Sequence, residues 1–143
     1  MALVYLAQSD TTIGLLSKDS EKLNALKGRP KNQSVLIESA DFTTLKSLVR
    51  APNAFKNLIR RSAKTTFIYP NSKAVRVVKG RHGDFLKHFK TLYSTSANLT
   101  QCAYDKEIAS NLADAIVSDE RGLFESASSK IFRLYKNKKV RIR

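Results

Sequence analysis

Hydrophobic positions change their spacing several times along the chain, and each change predicts an element. Ala2 to Gln8, ALVYLAQ, is apolar and rich in β-formers, the pattern of a buried strand. Asp19 to Leu26 opens with acidic residues and sets Leu23 and Leu26 three apart, as a helix does. Ser34 to Glu38 (SVLIE) predicts a second strand. Two helical stretches follow. Asp41 to Val49 has a capping aspartate ahead of Phe42, Leu45, Leu48 and Val49, and Asn53 to Ala63 carries Phe55, Leu58 and Ile59. Thr65 to Tyr69 and Ala74 to Val78, split by a turn at Pro70-Asn71-Ser72, predict a pair of strands. Asp84 to Leu92 is amphipathic, with Phe85, Leu86, Phe89 and Leu92 on one side, and Asp114 to Asp119 predicts a further strand. The tail KIFRLYKNKKVRIR predicts a basic hairpin, with Phe132, Leu134, Val140 and Ile142 facing a core and Arg133, Lys139, Arg141 and Arg143 facing out. Nothing repeats. Strands alternating with helices predict one α/β (α+β) domain over residues 1–143, a mixed sheet with flanking helices.

Composition supports a folded domain: 42% of residues are hydrophobic and the apolar runs are well spread. The longest run, Ala2 to Ala7, is too short to cross a bilayer and has no basic flank or cleavage site, so neither a membrane segment nor a secretory signal is expected. Cys102 stands alone, which excludes an internal disulfide and predicts a reduced, cytoplasmic setting. Charge changes the picture more. Twenty-six Lys and Arg against twelve Asp and Glu leave +14, which implies an anionic partner, nucleic acid first. Acidic lipid is the weaker candidate because no long basic amphipathic helix is present. A simple solubility bias is the bland alternative.

Several familiar sites are missing. There is no Walker loop and no GxGxxG, and His82 and His88 have no partners at metal-ligand spacing, so no metal site is expected. Three polar loops remain. QSDTTIGLL (Gln8 to Leu16) places Ser9, Asp10, Thr11 and Thr12 at the end of the first strand, where α/β sheets bind ligands. KGRP (Lys27 to Pro30) sets two cations around a glycine that would let backbone approach a ligand, beside a proline that stiffens the turn. In an extended segment Lys27 and Arg29 would point the same way. YSTSANLT (Tyr93 to Thr100) follows with hydroxyls and Asn98. Taken singly, the first two read better as a solvated or basic turn, and the third looks like an ordinary Ser/Thr-rich loop.

Their order and spacing resemble the YrdC-like proteins, the threonylcarbamoyl-AMP synthases. That family's loops read PTDTVYGL, KGRPxxKP and STSANxSG; here they stand as QSDTTIGL, KGRPKNQS and STSANLTQ. Val75 to Val77 falls at the family's arginine-bearing strand, and Ser128 to Ile131 at its P-S-T-[IV]. The chain departs from the pattern at Gln8, Ser9, Ile13 and Gln33, and RSAKT (Arg61 to Thr65) replaces a proline-rich loop.

The resemblance implies a twisted mixed sheet with a basic concave face. It also implies a reaction that joins L-threonine, bicarbonate and ATP into threonylcarbamoyl-AMP and pyrophosphate, for modification of adenosine 37 in tRNA (t6A). Lys27 and Arg29 would be catalytic, stabilising charge on carbamate and phosphate. Ser9, Asp10 and Thr11 would line the threonine pocket. Lys27, Arg29, Ser94, Ser96, Asn98, Ser129 and Arg143 would hold the nucleotide. ATP is then a substrate, with Mg2+ carried mainly by its phosphates. Further partners would be tRNA or double-stranded RNA and proteins of the t6A pathway. The altered loops and the charge also fit a diverged relative that binds tRNA, double-stranded RNA or rRNA without catalysis.

Overall fold

Nine strands hydrogen-bond into one mixed sheet in the computed structural model, which describes residues 2–99 and 102–143. In chain order the elements are β1 (Val4–Gln8), β2 (Ile13–Ser17), α1 (Ser20–Leu26), β3 (Leu36–Ser39), α2 (Phe42–Leu48), α3 (Lys56–Arg61), β4 (Thr65–Ile68), β5 (Ala74–Val77), α4 (Gly80–Leu86), β6 (Thr91–Ser96), α5 (Lys106–Leu112), β7 (Ala115–Val117), β8 (Lys130–Leu134) and β9 (Lys139–Arg141). The strand order is β7-β1-β2-β6-β3-β5-β4-β8-β9. Three pairs are parallel: β1 with β7, β3 with β5, and β4 with β8.

The two faces of the sheet are covered unequally. On one, Val4, Leu6, Ile13 and Leu15 pack with Leu23 of α1 and Ala109 of α5. Farther along the same face, Ile37, Phe67 and Val75 pack with Leu45 of α2 and Ile59 of α3. Tyr93 touches both clusters and joins them. On the opposite face Ala7, Leu16 and Leu92 meet Leu86 of α4, together with Tyr5, Phe85 and Phe89. Among the described residues only α4 packs there, and the uncovered remainder of that face is where the loops converge.

Local chemistry explains the helix starts. Asp19, Asp41 and Asp105 each accept hydrogen bonds from the backbone N–H groups of the first turns of α1, α2 and α5. Other expectations need correction. Ile13 to Leu16, read as part of a loop, is strand β2, buried on both faces, and so lacks the alternation that marks a half-exposed strand. The helix expected over Asp84 to Leu92 lies instead at Gly80–Leu86, and the chain reverses at Lys90 (φ 67°). Thr91 and Leu92 join β6, which gains ladders with both β2 and β3. Helix α5 was not anticipated.

The tail does form the expected hairpin, but its faces differ. Its register pairs Phe132 with Arg141, Arg133 with Val140 and Leu134 with Lys139. The four-residue connection therefore sets even positions of one strand opposite odd positions of the other. Lys139 and Arg141 share a face with Phe132 and Leu134, and Ile142 is 55% exposed.

Candidate functional site

A cavity of about 300 Å³ opens on the α4 side of the sheet. Its floor is made by strand residues that alternate with the apolar core. Thr66, Arg76 and Ser94 point into it, while their neighbours Phe67, Val75 and Tyr93 point to the α2–α3 side. Ser9, Thr11 and Thr12 form one wall, Arg29 with Ser34 and Val35 another, and Ser128, Ser129 and Arg143 a third. A second cavity of about 400 Å³ adjoins it through Thr12, Ile13, Ser96, Ser128 and Arg143, and reaches Asn98 and Tyr104.

The KGRP turn acquires its shape from the end of α1. Arg29 N–H donates to Asn24 carbonyl at 2.9 Å and Gly28 N–H to Ala25 carbonyl at 3.2 Å. This bond pair, closed by Gly28 at φ 66°, is a Schellman C-cap. The segment is thus not extended, and a Cβ at residue 28 would meet nothing within 4 Å. Glycine is needed there for its left-handed backbone, not for close approach to a ligand.

Beyond the cap the two cations part. The Lys27 ammonium donates to the Ser96 carbonyl at 2.9 Å and to the Asn98 carbonyl, bracing the end of β6 from behind. Arg29 reaches the cavity itself, donating from Nη2 to Thr95 Oγ1 at 3.2 Å, while its Nε is buried with no hydrogen-bond partner among the described residues. Burial, and then the nearby Arg29 charge, lowers the Lys27 pKa; burial lowers that of Arg29.

The remaining predicted residues are distributed as follows. Ser9 and Thr11 line the cavity, with Ser9 folded into its own turn: its hydroxyl donates to Thr12 carbonyl and accepts from Thr11 N–H at 3.0 Å. Asp10 is not in the lining and binds the Arg76 guanidinium at 3.1 Å. Ser94, Ser96, Ser129 and Arg143 line the main cavity, and Asn98 lines the adjoining one. Arg143 donates to Ser129 carbonyl at 2.9 Å and to Ser129 Oγ at 3.3 Å. Its pKa is lowered by burial and then by Arg76. Thr100 and Gln101, the end of the third loop, lie outside the described residues.

Sequence reasoning gave Arg76 only a place on a strand and missed its buried partners. Arg76 is 4% exposed, bonded to Asp10 and Thr66 Oγ1 and facing Glu38 Oε2 at 3.4 Å. Glu38, fully buried, also accepts from His82 Nε2 at 2.5 Å. An ionised carboxylate can only accept, so Nε2 carries the proton. Burial alone would raise the Glu38 pKa, but the Arg76 charge and the His82 hydrogen bond overcome it and bring it to about 2. No local motif marks this set. Glu38 and Arg76 are cross-strand partners and His82 comes from α4, so only the β3–β5 register assembles them. Arg121, also unforeseen, pairs with Asp119 and donates to the carbonyls of Gln8 at 3.0 Å and Ser9 at 3.3 Å, which fixes the first loop.

The electrostatic result is lopsided. Arg76 is matched by two carboxylates, but among the described residues no carboxylate is in ion-pair contact with Arg29 or Arg143. Among the described residues the main cavity offers guanidinium groups and hydroxyls and no carboxylate, a donor set for an oxyanion, while Glu125 lines the adjoining one. Among the described residues no group of three His, Cys, Asp or Glu could hold a metal ion, and no helix is long and apolar enough to cross a membrane.

No family model matches the sequence, and no curated protein matches it. Solved structures do. The structure of P. abyssi Sua5 complexed with L-threonine aligns with a TM-score of 0.82 at 17% identity, over 99% of this chain and 50% of that one. E. coli YciO aligns at 0.78 and 16% identity, over 99% and 82%. HypF from T. kodakarensis aligns at 0.77 and 17%, over 99% and 22%. The chain spans about half the length of the Sua5 chains it matches. Likeness at this identity is likeness of fold, and by that measure the chain has the YrdC-like fold that its three loops implied.

Proposed function

We propose that the chain is a nucleotidyltransferase of the threonylcarbamoyl-AMP type, acting on L-threonine, bicarbonate and ATP. The observation that carries this reading is the cavity in which Arg29 and Arg143, without carboxylate partners among the described residues, meet the hydroxyl-rich first and third loops. Its neighbour Sua5 has been solved with L-threonine, which supports an amino acid as one occupant. In the reaction, the threonine amine and bicarbonate condense to a carbamate with loss of water. A carbamate oxygen attacks the α-phosphorus, and the bond to the leaving pyrophosphate breaks. Such a step needs alignment and charge neutralisation more than a protein nucleophile.

Arg29 and Arg143 neutralise the phosphates, while Arg76, held rigid by Asp10 and Glu38, forms part of the cavity floor. Lys27 shapes the site by fixing the backbone at Ser96 and Asn98, and its charge adds to the field there. Ser94, Ser96 and Ser129 offer hydroxyls to the nucleotide, while Ser9 and Thr11 border the amino-acid side. Among the described residues the main cavity's lining has no carboxylate to hold a resident metal, so magnesium belongs to the nucleotide.

The test is pyrophosphate release from folded protein that requires threonine and bicarbonate together with ATP. Arg29→Ala should abolish it and weaken ATP binding without changing the melting temperature. Absence of three-substrate-dependent release from the wild type would overturn the reading.

A further inference from the structure

Net charge is not spread over this molecule. Residues 42–83 and 126–143 together hold seventeen Lys and Arg and no Asp or Glu; the other 83 residues hold nine Lys and Arg and all twelve acids. These two acid-free segments are far apart in sequence, yet they fold into one place. They supply β5, β4, β8 and β9, which are contiguous at one end of the sheet, together with α2, α3 and the start of α4 on the other face. Those segments therefore carry +17 and the rest of the molecule −3, and among the described residues only Arg76 and Arg81 of the seventeen cations pair with acids, Asp10, Glu38 and Glu120. A charge serving solubility is mixed and dispersed, whereas a single-sign field of this kind steers a polyanion.

The side chains of this lobe that define a surface lie opposite the cavity. Phe42 and Phe132 both pack against the α2–α3 core cluster, and each carries two cations over its ring. Lys46 and Arg60 sit 5.6 and 4.6 Å from the Phe42 centroid, and Lys139 and Arg141 sit 5.2 and 5.9 Å from that of Phe132. All four are exposed, and among the described residues none has a carboxylate partner. The rings hold the charges in place without neutralising them. At the tip of the β8–β9 hairpin, Tyr135 is 48% exposed beneath the Lys138 ammonium.

We infer that this outer face, α2–α3 with the β8–β9 hairpin, is a docking surface for an RNA with unpaired bases, separate from the nucleotide cavity. The four ring-mounted cations contact phosphates, and Tyr135 stacks on a base. An exposed aromatic at a basic tip suits unstacked bases, which duplex DNA does not present. The helices of this face are seven residues or fewer, too short for a basic amphipathic helix that would lie in a lipid surface. The inference does not depend on the enzymatic reading.

The test is a fluorescence-anisotropy titration of the folded chain with a labelled RNA hairpin bearing an unpaired loop, at several salt concentrations. Lys46→Gln, Arg60→Gln, Lys139→Gln and Arg141→Gln combined should weaken binding about tenfold or more and reduce the log–log salt slope by about 3. Removing the same charge from the other lobe (Lys31, Lys87, Lys90 and Lys106 to Gln) should change affinity little. Tyr135→Ala should weaken binding with the slope unchanged. Should the fourfold variant fail to fold, Lys136→Gln with Lys138→Gln at the exposed tip should still lower the slope, by about 1.5. Equal loss from both fourfold variants would overturn the surface, as would a comparable loss from Arg29→Ala. Equal affinity for duplex DNA, or binding to phosphatidylserine vesicles at salt that releases RNA, would also overturn it.

Discussion

Replacing Glu38 by glutamine tests the buried charge set beneath the cavity. In the wild type the Glu38 carboxyl titrates at about 2 against an ordinary 4.5. At 1.36 kcal/mol per unit this difference contributes about 3 kcal/mol of folding stability while the group is ionised in both states. Its native pKa is depressed, so the contribution is complete above about pH 5 and is lost as pH falls from 4.5 toward 2. Glutamine is nearly isosteric, so no cavity opens. It leaves the 4%-exposed Arg76 with Asp10 alone, however, and turns an amide donor toward either Arg76 or the His82 N–H. Breaking one side of a buried pair costs about 3–5 kcal/mol. Urea unfolding followed by circular dichroism, at half-unit steps from pH 7 to pH 2.5, reads both effects. The stability difference between wild type and Glu38→Gln should be about 3 kcal/mol at pH 7 and shrink steadily below pH 4.5. A gap under 1 kcal/mol at pH 7, or one constant across the acid window, would refute the assignment of Glu38 as an ionised partner of Arg76.

Three further substitutions test local arguments. Lys27→Ala removes the ammonium that satisfies the Ser96 and Asn98 carbonyls and should cost about 2 kcal/mol, with faster amide exchange confined to the end of β6. Gly28→Ala keeps open space but strains a backbone at φ 66°, so it should cost about 1 kcal/mol, with Gly28→Asn milder, as read from urea midpoints. Gly83→Ala acts by contact instead: its Cβ would stand 2.6 Å from the Val78 carbonyl oxygen, so α4 must shift. Its cost should be about 2 kcal/mol, and near-ultraviolet dichroism should show Phe85 and Phe89 disturbed.

Legibility followed locality. Strand β1, the helices capped by Asp19 and Asp41, the β4–β5 pair and the C-terminal hairpin depend on neighbouring residues, so spacing and capping side chains revealed them. Strand β2 was hidden because IGLLS is buried on both faces and shows no alternation. The reversal after α4 was hidden because Phe89 and Leu92 keep helical spacing although β6 pairs from Thr91 onward. In the hairpin, the strands were visible but their facing was not, since it depends on the register across a four-residue connection.

The site divides in the same way. Motif spacing selected Arg29, Ser94, Ser96, Ser129 and Arg143, and the fold brings all five to one cavity. It could not show that Lys27 turns to backbone carbonyls or that Asp10 binds Arg76, because both depend on what lies 66 to 71 positions away. By itself the sequence determined the α/β class, the large cationic excess and the three loops, properties carried by composition and by short contiguous stretches. Only the tertiary structure decided that Glu38, Arg76 and His82 share a buried charge network, and that two acid-free segments form a single lobe. Strand pairing joins residues by register rather than by nearness in sequence, and burial then sets which of their charges must be matched within the chain and which remain exposed to a partner.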